Sequence, residues 1–177
     1  DVYKRQPKSF MSIEIYHCED SRGMLPIWTA EEMGLDYSVQ MLPFPPRVHR
    51  KEFLKKNILG TIPYMIDGSV KMTESVAMSQ YIVDKYGPSK LQVNKTESDY
   101  GNYLNWLHHS DATLTFPQTV FMRYKLQEPG IADNAATGYR KWFVARLRLL
   151  EKELADREYL CCDRFTIADI CVGYALY

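Results

Sequence analysis

GTIPYMIDGSVKMTESVAMSQYIVDKYGP, residues 60–88, changes its periodicity part-way, and that change decides the fold. Ile62-Pro63 opens a run, Tyr64-Met65-Ile66, that is too short for a helix, and a proline is tolerated at the first residue of a strand. Asp67-Gly68 is a two-residue hairpin signal, because the favoured turn needs positive φ at its centre. Val70 to Met72 reads as the return strand. Met78, Tyr81 and Ile82 then recur at helical spacing, so the period passes from two to 3.6. Ser75 reads as the cap of that helix, and Gly87-Pro88 as its stop.

The same stretch suggests a ligand. A proline after a turn glycine suits a cis bond. A cis Ile62–Pro63 bond is expected to leave the Ile62 main chain exposed at a sheet edge, able to pair with an extended peptide. Glu74 and Ser75 stand at a helix N-terminus, where free N–H groups and the dipole favour a bound carboxylate. Glu74 adds an acceptor for an amine. A ligand with a peptide backbone, a carboxylate and an ammonium satisfies all of these. Taken alone, the hairpin is better read as packed on a helix, with Ser75 as a plain cap and no ligand.

The full string resembles the glutathione-binding half of cytosolic glutathione transferases. Their usual pattern is G-x-[IV]-P-x-[LM]-x-D-G-x-x-x-x-E-S-x-A-[IM]-x-x-Y-[LI]. Here it is matched by Gly60, Ile62, Pro63, Met65, Asp67, Gly68, Glu74, Ser75, Ala77, Met78, Tyr81 and Ile82. That many matches at fixed spacing is specific, whereas a lone Asp-Gly or Glu-Ser is not.

Composition sets outer bounds. Lys plus Arg and Asp plus Glu both total 22 in 177 residues, so no net charge draws the chain to nucleic acid or a membrane surface. No apolar run reaches the length of a membrane span. Residues 8–14 lack the apolar core of a secretory leader, so none is expected. Four cysteines occur, Cys18, Cys161, Cys162 and Cys171, without CxxC or metal spacing. Adjacent Cys161 and Cys162 cannot close a loop between them. This suits a reducing compartment, and a cytoplasmic protein without a metal is expected. His17, His49, His108 and His109 form no ligand pattern.

Residues 1–11 begin with DVYKRQ, which resembles translated adapter DNA, and read as a disordered extension outside the fold. Ser12 to His17 alternates and reads as a first strand. A helix follows in CEDSRGMLPIWTAEEMGLDY, with Ser21 as N-cap, Met24, Ile27 and Trp28 on one face, and Gly34 as the stop. Pro26 leaves two options: a helix starting near Met24, or a distorted first turn. Tyr37 to Leu42 reads as a second strand, Pro43 to Arg47 as a rigid loop, and His49 to Asn57 as a short basic helix. The order β-α-β-α-β-β-α over residues 12–86 resembles a thioredoxin-like α/β domain with a mixed sheet.

Residues 87–96 read as a linker, and strand signals vanish beyond it. Residues 97–177 are expected to form an all-α helical-bundle domain that is incomplete. Tyr100, Tyr103, Leu104 and Leu107 start a long helix running towards Leu126, kinked at Pro117. Glu128 to Thr137 reads as a loop. Phe143, Leu147, Leu150 and Leu154 form another stripe, and the neighbouring Arg140, Lys141, Arg146 and Arg148 read as a solvated face. In DRFTIADICVGYAL, Thr166 is the N-cap, Asp169 completes a capping box, and Phe165 with Ile170 forms a staple. The resemblance gives this element a role in folding, not chemistry.

The resemblance implies attack by the glutathione sulfur on an electrophile. A thiol with pKa near 8.5 is only a few per cent ionised near neutrality. Lowering the pKa by two units takes about 2.7 kcal/mol of preferential anion stabilisation. A hydroxyl at the entrance of the first helix can supply much of it. The chain offers Ser21, Cys18 and Tyr16 as catalytic candidates. Ser21 is favoured, because S-R-G-M-L-P-I-W-T-A-E-E is similar to the S-R-x-x-R-x-L-W-x-L-E-E stretch of fungal and bacterial transferases, with Leu25 in place of a second Arg. Ser21 also reads simply as a cap. Cys18 instead implies a mixed disulfide with glutathione and thiol-reductase chemistry. Tyr16 stands near the place of the tyrosine in animal classes, or in the core by strand alternation. Arg22 reads as a partner for a carboxylate or as a brace of the loop.

For glutathione, the resemblance implies main-chain pairing at Ile62 beside Pro63, with Glu74 and Ser75 on the γ-glutamyl end. Thr61 stands where relatives carry Gln or Lys, and His49 is a candidate for the glycyl carboxylate. Trp106, His109 and Tyr124 are candidates for the electrophile pocket, or ordinary core aromatics. The expected function is that of a detoxifying glutathione transferase, a homodimer acting on small hydrophobic electrophiles or organic peroxides. The alternatives are a non-catalytic module of the same fold, and a Cys18-dependent reductase.

Overall fold

The computed structural model describes residues 13–177. The expected extension 1–11, and Ser12 of the first strand, lie outside them. The chain divides into two compact units, one ending at Met78 and the other running Ser79–Tyr177.

The first unit contains β1 (Ile13–His17), α1 (Met24–Glu32), β2 (Tyr37–Met41), α2 (Pro46–His49), a 3-10 turn (Lys51–Lys55), β3 (Tyr64–Asp67), β4 (Val70–Met72) and the start of α3 (Ser75–Tyr86). The strands form one mixed sheet in the order β2-β1-β3-β4. β1 runs parallel to β2 and antiparallel to β3, and β3–β4 is the expected hairpin. This is the thioredoxin-like arrangement expected from the sequence. Gly68 turns the hairpin at φ 61°, a region that glycine enters without steric cost.

Strand alternation sorts β1 onto two faces. Ile13, Ile15 and His17 share one face and are buried, as are Leu25 and Ala30 of α1. Tyr16 lies on the other face, in a cluster with Phe53 and Tyr64 that Leu42, Ile62 and Ile66 pack against. Edge strand β2 carries exposed residues at Val39, Gln40 and Met41.

α1 begins at Met24, the first of the two options, so Pro26 sits in the first turn, where its missing N–H costs no intrahelical bond. Other local expectations are corrected. The N-cap of α1 is Gly23 with no side-chain cap bond, so Ser21 is not the cap. The expected helix over His49–Asn57 is instead the four-residue α2 followed by the 3-10 turn, with Pro46 opening α2. Ser75 is the first residue of α3 rather than its cap.

The second unit is all-helical. α4 (Tyr100–His108) passes into a π-helical segment (His109–Thr115), then α5 (Phe116–Met122) and a second π segment (Arg123–Gln127). The expected helix from Tyr100 towards Leu126 is therefore not uniformly α. Pro117 brings no N–H to the preceding turn, and the Thr115 hydroxyl reaches back to the Ser110 carbonyl at 2.8 Å. α6 (Asp133–Glu153) begins inside the expected loop. Before α7 (Ile167–Leu176) the capping box closes: Thr166 accepts from the helix, and Asp169 accepts from the Thr166 N–H at 2.8 Å. Asp169 also accepts from the Leu160 N–H at 2.9 Å. Ile167, Ala168, Ile170, Cys171, Val172 and Ala175 are all buried, so α7 is a central helix of this unit.

Candidate functional site

The strand-to-helix turn after β1 is built by the chain itself. The Ser21 N–H donates to the Cys18 carbonyl at 3.2 Å, and Asp20 sits at φ 53°, which an aspartate tolerates. The Met24 N–H then donates to the Ser21 carbonyl at 3.1 Å, which leads the chain into α1. The Ser21 hydroxyl oxygen accepts from the Cys18 N–H at 3.3 Å and stands 3.0 Å from His17 Nδ1. The first turn of α1 carries no acidic side chain.

Arg22 joins this turn to the start of α3. Its Nε donates to the Ser75 hydroxyl at 2.9 Å. Ser75 is buried, and its neighbour Glu74 is exposed, accepting from the Thr73 hydroxyl at 3.2 Å. A guanidinium, a buried hydroxyl, an exposed carboxylate and the beginning of a helix therefore meet beside the Ser21 turn. Together they can hold a carboxylate and an ammonium carried on the same carbon.

The Ile62–Pro63 bond is cis, as are Phe44–Pro45 and Gly87–Pro88. β3 is not an edge strand, since β1 and β4 flank it. The β1–β3 ladder ends at the pair Tyr16–Tyr64, so Ile62 and Pro63 run on beyond its last pair. Ile62 is half-buried, and Pro63 is buried. Thr61 is exposed, and its carbonyl accepts from Asn57 Nδ2 at 2.9 Å. His49, at the end of α2, is exposed.

The other two thiol-activating candidates are placed differently. Cys18 is 1% exposed, and burial pushes its thiol up from the ordinary range. The Tyr16 hydroxyl donates to Glu14 Oε1 at 2.8 Å and accepts from Lys56 Nζ. Burial, the largest effect, raises its pKa, with Lys56 working the other way. The structure thus ties Arg22 to Ser75, next to Glu74, keeps the Ser21 hydroxyl on His17 and Cys18, and leaves Tyr16 on the face of the sheet opposite His17.

The family described as the glutathione S-transferase N-terminal domain matches residues 15–90. Glutathione S-transferase 3 of Schizosaccharomyces pombe is 25% identical over 89% of this chain and 70% of its own length. Glutathione S-transferase 3 of Zea mays is 28% identical over 78% of this chain and 64% of its own length. Among solved structures, the glutathione transferase URE2P6 of Phanerochaete chrysosporium, in complex with oxidized glutathione, superposes with a TM-score of 0.82 at 27% identity, over 94% of this chain and 78% of that one. Residues 15–90 belong to the glutathione S-transferase N-terminal domain family, and the chain as a whole is similar to cytosolic glutathione transferases.

Glutathione transferases of this superfamily pair the thioredoxin-like domain with a helical one, and the second unit here is helical accordingly. Of the electrophile-pocket candidates, Trp106 is buried and lies 5.1 Å from the His109 ring, edge to face. Burial lowers the His109 pKa, so that imidazole is neutral near pH 7. Tyr124, in the second π segment, instead carries the Arg123 guanidinium over its ring at 5.9 Å.

Two residues with structural weight had escaped the sequence reading. Arg164 forks onto Glu97 at 2.8 and 2.9 Å and donates to the Lys90 and Gln92 carbonyls, which fastens residues 90–97 to the segment before α7. His17 contacts Ser21 four residues away, and only its place at the end of a strand leading into a tight turn could have signalled this. The four cysteines are free thiols. Among the described residues no helix is long and apolar enough to cross a membrane, and no group of three or more His, Cys, Asp or Glu is placed to hold a metal ion.

Proposed function

We propose that this protein is a glutathione transferase in which Ser21 activates the glutathione thiol for attack on a small hydrophobic electrophile or organic peroxide. The observation that carries the reading is the Arg22–Ser75 hydrogen bond of 2.9 Å. It ties the turn that carries Ser21 to the start of α3, where Glu74 and Ser75 suit a γ-glutamyl end. Glu74 takes the ammonium. The Ser75 hydroxyl and the first N–H groups of α3 take the carboxylate. The main chain at Ile62, beside Pro63, pairs with the cysteinyl part, and Thr61 and His49 lie along the glycyl end. The γ-linked peptide then lays its sulfur at the mouth of α1. There the Ser21 O–H donates to the thiolate, and the helix dipole favours the anion.

The alternatives fare less well on the same geometry. A mixed disulfide at Cys18 needs an accessible thiolate, and burial keeps that thiol protonated. In a non-catalytic module the Ser21 hydroxyl would only tie the turn, through the Cys18 and Gly23 N–H groups. The proposal takes residues 12–86 as the glutathione-binding domain, 87–96 as linker and 97–177 as the helical domain, with Trp106, His109 and Tyr124 lining the electrophile pocket. A detoxifying homodimer in the cytoplasm is part of the proposal.

The protein is expected to be retained on immobilised glutathione and to conjugate a chlorinated nitrobenzene. Ser21→Ala is expected to lower turnover about 100-fold, roughly the loss of 2.7 kcal/mol of anion stabilisation, while glutathione affinity changes little. Failure of the wild type to bind the resin overturns the glutathione reading. Full turnover in Ser21→Ala overturns the role of Ser21.

A further inference from the structure

We propose that His17 is the positioning residue for Ser21: its Nδ1–H donates to the Ser21 oxygen and turns the hydroxyl's own hydrogen outward, toward bound sulfur. The proposal rests on Ser21 as thiol activator and adds what makes that serine a donor rather than an acceptor. The Ser21 oxygen has two lone pairs: the Cys18 N–H occupies one at 3.3 Å, and the Gly23 N–H, at 3.5 Å, is at the limit of hydrogen-bond length and leaves the second for Nδ1–H. Neither main-chain N–H can accept the hydroxyl hydrogen. The shortest contact is to His17 Nδ1 at 3.0 Å, and this one runs in either direction, according to the tautomer. If Nδ1 accepts, the only hydrogen on Ser21 is used inside the protein. If Nδ1 donates, that hydrogen is left for the ligand. The direction of one hydrogen bond therefore decides whether Ser21 can stabilise a thiolate.

The ring is held for this task. His17 ends β1 on the buried face and is 6% exposed. Burial lowers its pKa against the opposing charge of Asp20, so near pH 7 the ring is neutral and one nitrogen carries the proton. Gly23 makes room for it. A Cβ at that position would lie 2.4 Å from Nδ1, although the Gly23 backbone, at φ −61°, suits any residue. Glycine stands there for the space the imidazole needs, not for its conformational freedom. His17, Ser21 and Gly23 thus form one unit within seven residues of chain.

The test is the pKa of the glutathione thiol bound to the protein, read from thiolate absorbance across pH. His17→Phe keeps the ring's bulk and removes Nδ1, and is expected to raise that pKa by about one unit, a tenfold fall in thiolate at a pH below it. His17→Asn places an amide N–H near the Nδ1 position and is expected to restore most of the wild-type value. Gly23→Ala is expected to behave as His17→Phe. In a Ser21→Ala background His17→Phe is expected to add no further shift. If Ser21→Ala raises the thiol pKa but His17→Phe and Gly23→Ala do not, the role of His17 is overturned while that of Ser21 stands. If Ser21→Ala has no effect, both fall. Nitrogen NMR of the wild type with glutathione bound needs no variant. Nδ1 is expected to carry the proton, and an unprotonated Nδ1 in the complex overturns the proposal.

Discussion

Three side chains within six residues offered a hydroxyl or thiol, and burial separates their chemistry. Tyr16 faces an aromatic cluster and spends its hydroxyl on Glu14 and Lys56. Tyr16→Phe is expected to cost about 1 kcal/mol in urea unfolding, the net worth of a lost hydrogen bond, with turnover unchanged. A loss of turnover without a loss of stability would contradict this placement. Cys18, at 1% exposed, is expected to resist a thiol-specific disulfide reagent in the native protein and to react once urea is added. Rapid native labelling would show that the thiol is accessible. Alternation along β1 was legible in the sequence and already allowed a core position for Tyr16. The partners of Ser21 were not legible, because a turn between strand and helix has no period to read. The glycine that admits the His17 ring looks, in sequence, like any turn glycine.

Among the elements, the hairpin and the capping box were the most legible, since each is specified by residues next to one another. Asp67-Gly68 turns β3 into β4, and Thr166 with Asp169 opens α7. The π segments were not legible. Segments of seven and five residues are too short for the wider π spacing to show as a period, and only Pro117 marked the place. Thr166→Ala is expected to cost about 1 kcal/mol as a lost cap. Asp169→Ala is expected to cost more, about 2–3 kcal/mol, since its carboxylate also accepts from Thr166 and from the Leu160 N–H. Equal losses in the two variants, measured by urea unfolding, would show that the Leu160 contact carries no weight. The Arg164–Glu97 fork joins segments 67 residues apart and had no local signature. Arg164, then the Asn94 N–H, hold the Glu97 carboxyl down to about 2. A carboxyl depressed on folding stabilises above its unfolded pKa, and that stability is lost as pH falls through the folded value. Glu97→Gln is therefore expected to be less stable than wild type at neutral pH, with the difference shrinking between about pH 4.5 and 2. A gap unchanged across that interval would show that the fork does not titrate with folding.

For the molecule as a whole, the family resemblance came from one 29-residue string, and the thioredoxin-like sheet from the order of elements over residues 12–86. The site followed less completely, because Glu74 and Ser75 gain meaning only when Arg22, 53 residues earlier, reaches Ser75. The proposed conjugating activity depends on the first unit ionising a bound thiol, whatever the electrophile. The absorbance of the thiolate in the glutathione complex, titrated in wild type and Ser21→Ala, measures that directly. The expected result is a wild-type thiol pKa about two units below that of free glutathione, returning most of the way in Ser21→Ala. A bound thiol that titrates like the free one in the wild type, or a lowered pKa untouched by Ser21→Ala, would contradict the account.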